Sequence, residues 1–275
     1  MKGATKIEKQ ANMQEIVIAP SVLGSVSSRN GWPRVDILNV PINVLTREQL
    51  TGALRHVLET GQRGWFSYVN IHAINLSLDL HWFRQFLQHS LVTYCDGAGV
   101  RVGAWMLGKK LPERIVMTDW IHDVCDLAQR LEKRVFFLGS TRTIIAWAVN
   151  VLGRMYPGMI IAGFHHGYFS REEQERIVHH INDSRPDILV VGMGMPLQER
   201  WILENIEKLD VPVLLNAGSC FDFVAGAKSR CPRWMGQAGM EWLFRLLLEP
   251  RRLWRRYLIG NPRFMLRVLF SRFLA

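Results

Sequence analysis

The sequence predicts an α/β fold: a Rossmann-like, mostly parallel sheet flanked by helices, with a basic helical appendage at the C-terminus. Short apolar runs that end in Gly, Asn or Asp alternate with stretches of helical periodicity, which is typical of βαβ units. The runs are apolar throughout, so we expect a sheet that is covered on both faces. The length of 275 residues suits one large α/β domain or two small ones, and a hydrophobic fraction of 48% is enough for a substantial core.

Each predicted strand is a short apolar run, and each predicted helix repeats apolar residues every three or four positions. The strands, in chain order, are Val35–Val40, Trp65–Asn70, Leu91–Asp96, Val135–Gly139, Met159–Phe164, Ile188–Gly192 and Val213–Gly218. The helices are Thr46–Thr60, Asp119–Leu131, Thr141–Leu152, Arg171–Asn182 and Glu199–Leu209. Ligands of parallel sheets bind beyond the carboxyl ends of the strands, so we expect the chemistry there.

The chain divides into three predicted regions: a flexible N-terminal segment at 1–30, a Rossmann-like core at 31–239 and a basic amphipathic appendage at 240–275. The first segment lacks the charged-then-apolar layout of a secretory signal. No apolar run approaches the ~18–20 residues of a membrane span, so we expect any membrane contact to be superficial. The four cysteines include no CxxC pair and fit no zinc pattern, which predicts reduced thiols and no metal site.

The appendage carries most of the basic charge. Residues 241–275 contain eight arginines but only two acids, and they contribute +6 of the formal net charge of +10. Arginine mixed with Trp and Leu has three interpretations: a solvated helix face, a nucleic-acid patch or a segment lying in a lipid interface. The abundance of Trp and Leu favours the lipid interface over nucleic acid. Because Pro250 and Pro262 interrupt this segment, we expect two or three short helices.

Two glycine turns follow predicted strands and precede predicted helices. At Gly139-Ser140, backbone N–H groups would suit a phosphate, although a plain strand-to-helix turn explains the sequence equally well. The second turn contains Gly192 and Gly194, which allow close approach of a ligand, and Gln198-Glu199 follow it at the start of the helix. Its alternative is a helix that simply opens with an acid. Neither turn matches the GxGxxG or P-loop pattern.

Two further polar residues are candidates for the site, one at a predicted strand end and one in a loop. Asp96 ends a strand in a glycine-rich turn, where it could serve as a general base, but an Asx turn is favoured on the local sequence alone. Arg114 follows Pro112 in a loop and could bind a phosphate or carboxylate group through two parallel hydrogen bonds. A surface ion pair is the ordinary alternative for this arginine.

The motifs agree with one known family in order and spacing. They are NVPINVLT, VNIHAINLSL, CDGAGVRVGAWMLGKKLPERIVMTD, VFFLGS, YPGMIIAGFHHGYFS, INDSRPDILVVGMGMPLQERWI, NAGSCFDFVAGAKSRCPRWM and GMEWLFRLLLEPRRLWRRYLIGNP, and they extend from about Val35 to Pro262. Together they resemble the WecG/TagA/CpsF family of bacterial glycosyltransferases (glycosyltransferase family 26). The PxQE and EWLFRLLLEPRR elements are the most specific.

The resemblance implies roles for individual core residues. Asp96 matches the general base proposed for the family, Asn70 matches the polar residue that closes the second strand, and Arg114 matches the arginine of the ER motif. Gln198 and Glu199 match the QE pair, and we expect them to bind the UDP-sugar donor. We assign donor binding also to the glycines of the two turns and to Ser140.

The resemblance also implies that appendage arginines help to close the site and bind the acceptor diphosphate and the membrane. The matching positions are Arg245, Arg252 and either Arg255 or Arg256. The chain departs from the family pattern at three places. Tyr68 stands where Thr is usual, Arg230-Cys231-Pro232 where RAP is common, and Met117-Thr118-Asp119 where Gly-Asp or a similar turn follows the ER motif. These departures concern the identity of the donor or acceptor, not the class of reaction.

The implied function is an inverting glycosyltransferase that moves a sugar from a UDP-sugar to an undecaprenyl-diphosphate-linked saccharide in bacterial cell-surface or exopolysaccharide synthesis. The resemblance implies no cofactor or catalytic metal, and a cytoplasmic enzyme that is peripheral at the inner face of an anionic membrane. We expect no nucleic-acid partner, and a homo-oligomer is left open. The alternatives are a non-catalytic membrane-surface adaptor, which leaves the glycine-rich strand ends unexplained, and another nucleotide-binding Rossmann-type enzyme, which the missing GxGxxG disfavours.

Overall fold

The structure, a computed structural model, describes residues 31–274, so the segment predicted to be flexible at 1–30 lies outside the described residues. The core is a six-stranded sheet whose neighbouring strands are all parallel, as the continuous apolar runs predict. Its strands are β3 (Gly64–Val69), β4 (Val92–Cys95), β5 (Arg134–Gly139), β6 (Ile160–His165), β7 (Ile188–Gly192) and β8 (Val213–Asn216). Their order is β4-β3-β8-β7-β5-β6, with helices on either side, which confirms the predicted fold class.

The predicted first strand, Val35–Val40, is wrong as a member of this sheet. That segment folds into an antiparallel hairpin of β1 (Arg34–Ile37) and β2 (Val40–Asn43). Leu38 and Asn39 form its two-residue turn with φ of +53° and +66°, the left-handed geometry that matches the twist of a tight hairpin. The turn is therefore not recognisable within the apolar run, because Asn39 is its only typical turn residue.

The five predicted helices are present with small shifts at their ends, and four further helices complete the core. The core helices are α1 (Arg47–Thr60), α2 (Ile71–Asp79), α3 (His81–Gln88), α4 (Ala98–Met106), α5 (Met117–Arg130), α6 (Arg142–Met155), α7 (Gln174–Asp183), α8 (Leu197–Asn205) and α9 (Cys220–Val224). Thr46 begins α1 with a capping box: its hydroxyl accepts the N–H of Gln49 at 3.2 Å, and the Gln49 side chain accepts the N–H of Thr46 at 2.9 Å.

The appendage is more continuous than predicted. After α10 (Arg233–Gln237) come α11 (Glu241–Leu248), α12 (Pro250–Trp254), a π-helical turn (Arg255–Ile259) and α13 (Gly260–Leu274). Pro250 begins α12, where its missing N–H costs nothing. The prediction that Pro262 interrupts the chain is wrong, because α12, the π turn and α13 follow one another without a break. In a π turn, each carbonyl group accepts the N–H of the residue five positions later instead of four. The carbonyl group four residues before Pro262 therefore does not need the N–H that proline lacks.

The final helix, α13, packs on α2 and α4 of the core. Phe264 and Val268 are fully buried there, and a Cβ added at Gly103 of α4 would lie 2.5 Å from the Phe264 ring. Asn75 Nδ2 of α2 donates to Gly260 O at 2.8 Å. The appendage is thus seated on the helices that follow β3 and β4. Within residues 31–274, no helix has the length and apolar character required to cross a membrane.

Candidate active site

Asp96 and Asn70 lie at the carboxyl ends of neighbouring strands. β4 ends at Cys95 and β3 at Val69, and the N–H of Asp96 donates to Val69 O at 2.9 Å. Asn70 caps α2, because its Oδ1 accepts the N–H of Ala73 at 3.1 Å. This cap uses the amide oxygen and leaves the amide N–H donors for another partner. The two residues therefore share one corner of the sheet.

Arg114 reaches the same corner from the loop between α4 and α5. The N–H of Ile115 donates to Cys95 O at 2.8 Å, so this loop runs along the end of β4. Arg114 Nη2 lies 2.6 Å from Glu241 Oε2, and Arg245 Nη2 lies 2.6 Å from Glu241 Oε1. We call Arg114, Glu241 and Arg245 the Glu241 cluster. Since Glu241 and Arg245 belong to α11, the cluster joins the core to the appendage.

The half-buried Asp96 carboxyl group has a pKa above the usual value for aspartate. Burial raises the pKa of Asp96 to about 7, the positive charges of Arg114 and Arg245 lower this pKa, and the negative charge of Glu241 raises it. Arg256 in the π turn lowers the pKa of Asp96 further. A carboxyl group with a pKa near neutrality can accept and release a proton at neutral pH, as a general base must.

Of the four predicted appendage arginines, two act on the pKa of Asp96 and two are exposed on the surface. Arg245 and Arg256 are at least partly buried, and their charges both act on the pKa of Asp96. Arg252 and Arg255 are exposed on the appendage surface. Of the adjacent positions 255 and 256, only Arg256 acts on the pKa of Asp96, and the roles of both arginines stay predictions.

Gln198 and Glu199 are buried beneath the ends of β7 and β8 instead of projecting into solvent, with only 0% and 1% of their surface exposed. Gln198 Oε1 accepts the N–H of Gly218 at 2.9 Å and that of Gly194 at 3.2 Å. Gln198 Nε2 donates to Glu199 Oε1 at 2.7 Å. The QE pair thus holds two glycine turns together, and contact with a donor would come through those turns. The donor-binding role of both residues stays a prediction.

Glu199 completes a buried polar network with Asn216 and Tyr68. Asn216 Nδ2, at the end of β8, donates to Glu199 Oε1 at 2.8 Å, and Gln198 Nε2 donates to the Tyr68 hydroxyl at 3.1 Å. Burial raises the pKa of Glu199 to about 7, although the hydrogen bond from Gln198 lowers it. Glu199 Oε2 and Asn216 Oδ1 have no hydrogen-bond partner in the described part of the chain. A protonated Glu199 would add the donor that these oxygens lack.

The turn at Gly139 and Ser140 packs directly on the turn that begins at Gly192. Gly139 has φ of +150°, and a Cβ there would lie 2.2 Å from Gly192 O, so only glycine fits. The N–H of Ser140 donates to Gly192 O at 3.1 Å, and the Thr141 hydroxyl accepts the N–H of Ile144 at 3.3 Å. A phosphate at this turn would have to use other N–H groups of the first turn of α6. Its role as a donor site stays a prediction.

The charged groups around Asp96 indicate which substrates this corner can bind. Among residues 31–274, no group of three His, Cys, Asp or Glu side chains is arranged to hold a metal ion. The positive charges that act on Asp96 belong to Arg114, Arg245 and Arg256, and the negative charge of Glu241 acts on it as well. Guanidinium groups bind phosphate and carboxylate oxygens through parallel hydrogen bonds, so the corner suits an anionic substrate.

A sequence model of one family matches the chain over residues 35–275, and its description is "Glycosyl transferase WecG/TagA/CpsF family". The chain belongs to this family. Relatives from Staphylococcus aureus strains NCTC 8325 / PS 47, COL and MRSA252 are each 27% identical over 246 residues, which cover 89% of this chain and 95% of the relative. Each is named N-acetylglucosaminyldiphosphoundecaprenol N-acetyl-beta-D-mannosaminyltransferase.

Membership confirms the resemblance that the motifs predict, and it makes this chain a glycosyltransferase. The alternatives of a non-catalytic adaptor and of another nucleotide-binding Rossmann-type enzyme are correspondingly disfavoured. In this glycosyltransferase, two of the departures from the family pattern contact each other. Arg230 forms an ion pair with Asp119, and Arg230 Nη2 donates to Thr118 O at 2.7 Å. The third departure, Tyr68, belongs to the buried network.

Sequence reasoning missed Glu241 and Tyr68. Glu241 was counted only as one of two acids in a basic segment, although its spacing of four from Arg245 is that of a helical ion pair. Tyr68 lies two residues before Asn70, so the strand period places the two on one face of β3. Its hydroxyl meets Gln198, which is 130 positions away in the sequence, and no local pattern predicts that contact.

Proposed function

We propose that this glycosyltransferase moves a sugar from a UDP-sugar to an undecaprenyl-diphosphate-linked saccharide, with inversion at the anomeric carbon, in synthesis of a bacterial cell-surface polysaccharide. The observation that carries the proposal is the Asp96 carboxyl group, with a pKa of about 7, at the strand ends among three arginines. The names of the Staphylococcus aureus relatives specify an N-acetylglucosaminyldiphosphoundecaprenol acceptor, which supports a lipid diphosphate here. An N-acetylhexosamine is accordingly our first choice of donor sugar.

Asp96 is the general base of the proposed reaction. Its carboxylate accepts the proton of an acceptor hydroxyl group, and the oxygen of that group forms a bond to the anomeric carbon of the donor. The bond from this carbon to the diphosphate oxygen breaks on the opposite side, and its electron pair leaves with UDP. One displacement of this kind inverts the configuration. Asn70, which shares the corner, has amide N–H groups left to orient a sugar hydroxyl.

The leaving diphosphate gains negative charge as this bond breaks, and arginines can stabilise that charge. Arg114 comes from the core, whereas Arg245 and Arg256 come from the appendage. Groups that are fixed where charge develops lower the barrier more than groups that must first be recruited. We therefore assign the work that a catalytic metal performs in other transferases to these side chains.

The appendage is the proposed membrane contact. From Pro250 to Leu274 it contains no acidic residue. Its largely exposed apolar side chains include Trp254, Leu258, Ile259, Leu266 and Phe270. Exposed apolar groups beside arginines suit an interface of lipid chains and anionic headgroups. Such a contact would keep the enzyme at the inner face of the membrane, where a polyprenyl-linked acceptor is anchored.

The test is to incubate the protein with a panel of UDP-sugars and an undecaprenyl-diphosphate N-acetylglucosamine acceptor, and to determine the product mass and anomeric configuration. We expect one donor to add a single sugar to the lipid with release of UDP. Absence of transfer from every UDP-sugar, or retention of configuration, would refute the proposal.

A further inference from the structure

Glu241 is the residue through which the appendage meets the catalytic corner. It is the first residue of α11, and each of its carboxylate oxygens lies 2.6 Å from a different guanidinium group. One of these belongs to Arg114 in the core, and the other belongs to Arg245, one helical turn further along α11. All three side chains are only 22–31% exposed, so solvent screens these ion pairs less than it screens pairs on an open surface.

The two arginines depend on Glu241 to different extents. Arg245 has a further contact, since its guanidinium group lies over the Phe223 ring at 5.2 Å. For Arg114, Glu241 is the sole side-chain partner within hydrogen-bonding or ion-pair distance in the described part of the chain. Without Glu241, Arg114 would lose its anchor, and two like charges would remain close together.

We propose that Glu241 is a positioning residue that holds Arg114 of the core and Arg245 of the appendage together beside Asp96. The inference rests on the proposed function, because it gives these arginines a diphosphate to meet. Glu241 accepts a hydrogen bond from Arg114 and forms an ion pair with Arg245, which leaves further N–H donors on both guanidinium groups for a diphosphate. The arginine clamp is therefore arranged before substrate arrives, and it is complete only when α11 is docked on the core.

The kinetic test compares Glu241→Gln with Glu249→Gln. Glu249 is a matched control, because it also pairs with basic residues of this region, Arg252 and Lys228, but not with Arg114 or Arg245. Glutamine keeps the size of the side chain and removes its charge. We expect kcat of the Glu241 variant to fall about tenfold while KM for the donor changes by less than about twofold, because the clamp acts mainly on charge that develops during bond breakage. The Glu249 variant should keep the wild-type kcat.

A conservative variant and a double variant separate positioning from general support of the fold. Glu241→Asp keeps the charge and should recover most of the lost kcat. In an Arg114→Gln background, Glu241→Gln should cost less than about twofold more, because its main partner is already absent. The inference would be overturned if the kcat losses of the two single variants multiplied in full in the double variant. It would also be overturned if Glu249→Gln lost as much kcat as Glu241→Gln, or if Glu241→Asp recovered none of the lost kcat.

Thermal unfolding tests the link between Glu241 and Arg114 without any assay of transfer. The single variants Glu241→Gln and Arg114→Gln should each lower Tm by a few degrees, and the double variant should lower it by less than the sum of the two. If the wild-type protein transfers no sugar but this coupling in Tm is observed, the proposed function fails and the structural link stands. Additive changes in Tm would refute the link itself.

Discussion

Two carboxyl groups of this glycosyltransferase, Asp96 and Glu199, have pKa values raised to about 7 by burial, yet their surroundings differ. Glu199 receives hydrogen bonds from the neutral amides of Gln198 and Asn216, in a network that lies beneath the glycine turns. Asp96 lies among charges that come from a core loop, from α11 and from the π turn. A similar proton affinity therefore has two uses. The raised pKa of Glu199 belongs to a network that connects protein groups. The pKa of Asp96 instead depends on where the appendage places its charged side chains.

Replacement of each carboxyl group by the corresponding amide should give the largest difference in kcat between the two regions. Asp96→Asn should lower kcat by about three orders of magnitude, because the amide cannot accept the acceptor proton. Its affinity for UDP, measured by calorimetry, should change little. Glu199→Gln should keep kcat within a few-fold of wild type, because the hydrogen bonds of Glu199 join Gln198 and Asn216 beneath the glycine turns and we expect its effect on transfer to be indirect. Similar losses in both variants would remove the distinction between the regions.

The pH dependence of transfer should follow Asp96. Because the base must be deprotonated, kcat/KM should fall about tenfold for each pH unit below the Asp96 pKa of about 7 and level off above it. The measurement is a pH profile of kcat/KM, which reports the free enzyme. Glu199→Gln should keep the same acidic limb, since protonation of Glu199 is not part of the reaction. A limb that disappears in this variant would mean that the buried network, and not Asp96, controls the rate.

The adjacent arginines of the π turn provide a smaller and more local test. Arg256→Gln should lower kcat by about tenfold, because the Arg256 charge acts on Asp96 and is available to the diphosphate. Arg255→Gln removes the same charge one position earlier, where the side chain is exposed. Transfer by this variant should stay near wild type when measured on a detergent-solubilised acceptor. Equal losses at both positions would indicate that the total charge of the appendage matters more than its geometry.

The smallest expected effect concerns the membrane surface. Phe270, on α13, and Trp147, on α6, are 64% and 56% exposed, so their replacement by Ala removes an accessible aromatic ring in each case. Phe270→Ala should weaken cosedimentation with anionic phospholipid vesicles about tenfold, as expected for one ring withdrawn from lipid. Trp147→Ala should not weaken it. Equal binding of all three proteins would argue against the proposed lipid contact of α13.

Most of the sheet follows from the sequence because its strands, apart from the partly exposed edge strand β6, are buried on both faces and therefore read as unbroken apolar runs. Ile188–Gly192 is found with the predicted bounds, and other strands differ by one or two residues. The hairpin at β1 and β2 escapes this reasoning, since Leu38 in a left-handed turn has no sequence signal. The continuity of the appendage through Pro262 also escapes it, because a π turn depends on packing against the core.

The candidate site could be predicted only in part. The strand-end residues Asp96 and Asn70 are found from the motifs, and their proximity follows from the pairing of β3 with β4. The contact between Arg114 and Glu241 joins residues 127 positions apart, and two short sequence elements carry no information about their distance. Local patterns likewise do not distinguish Arg255 from Arg256, because burial of one of them is decided by tertiary packing.

The contact of Gly103 with Phe264 restricts how the parts of this enzyme can be recombined. Since any larger residue at position 103 would collide with the aromatic ring, the helix 98–106 and the C-terminal helix form a matched pair of shapes. A chimaera that received its last helix from a relative would need the partner helix from the same relative as well. For protein engineering, the exchangeable module is this helix pair and not the C-terminal segment alone.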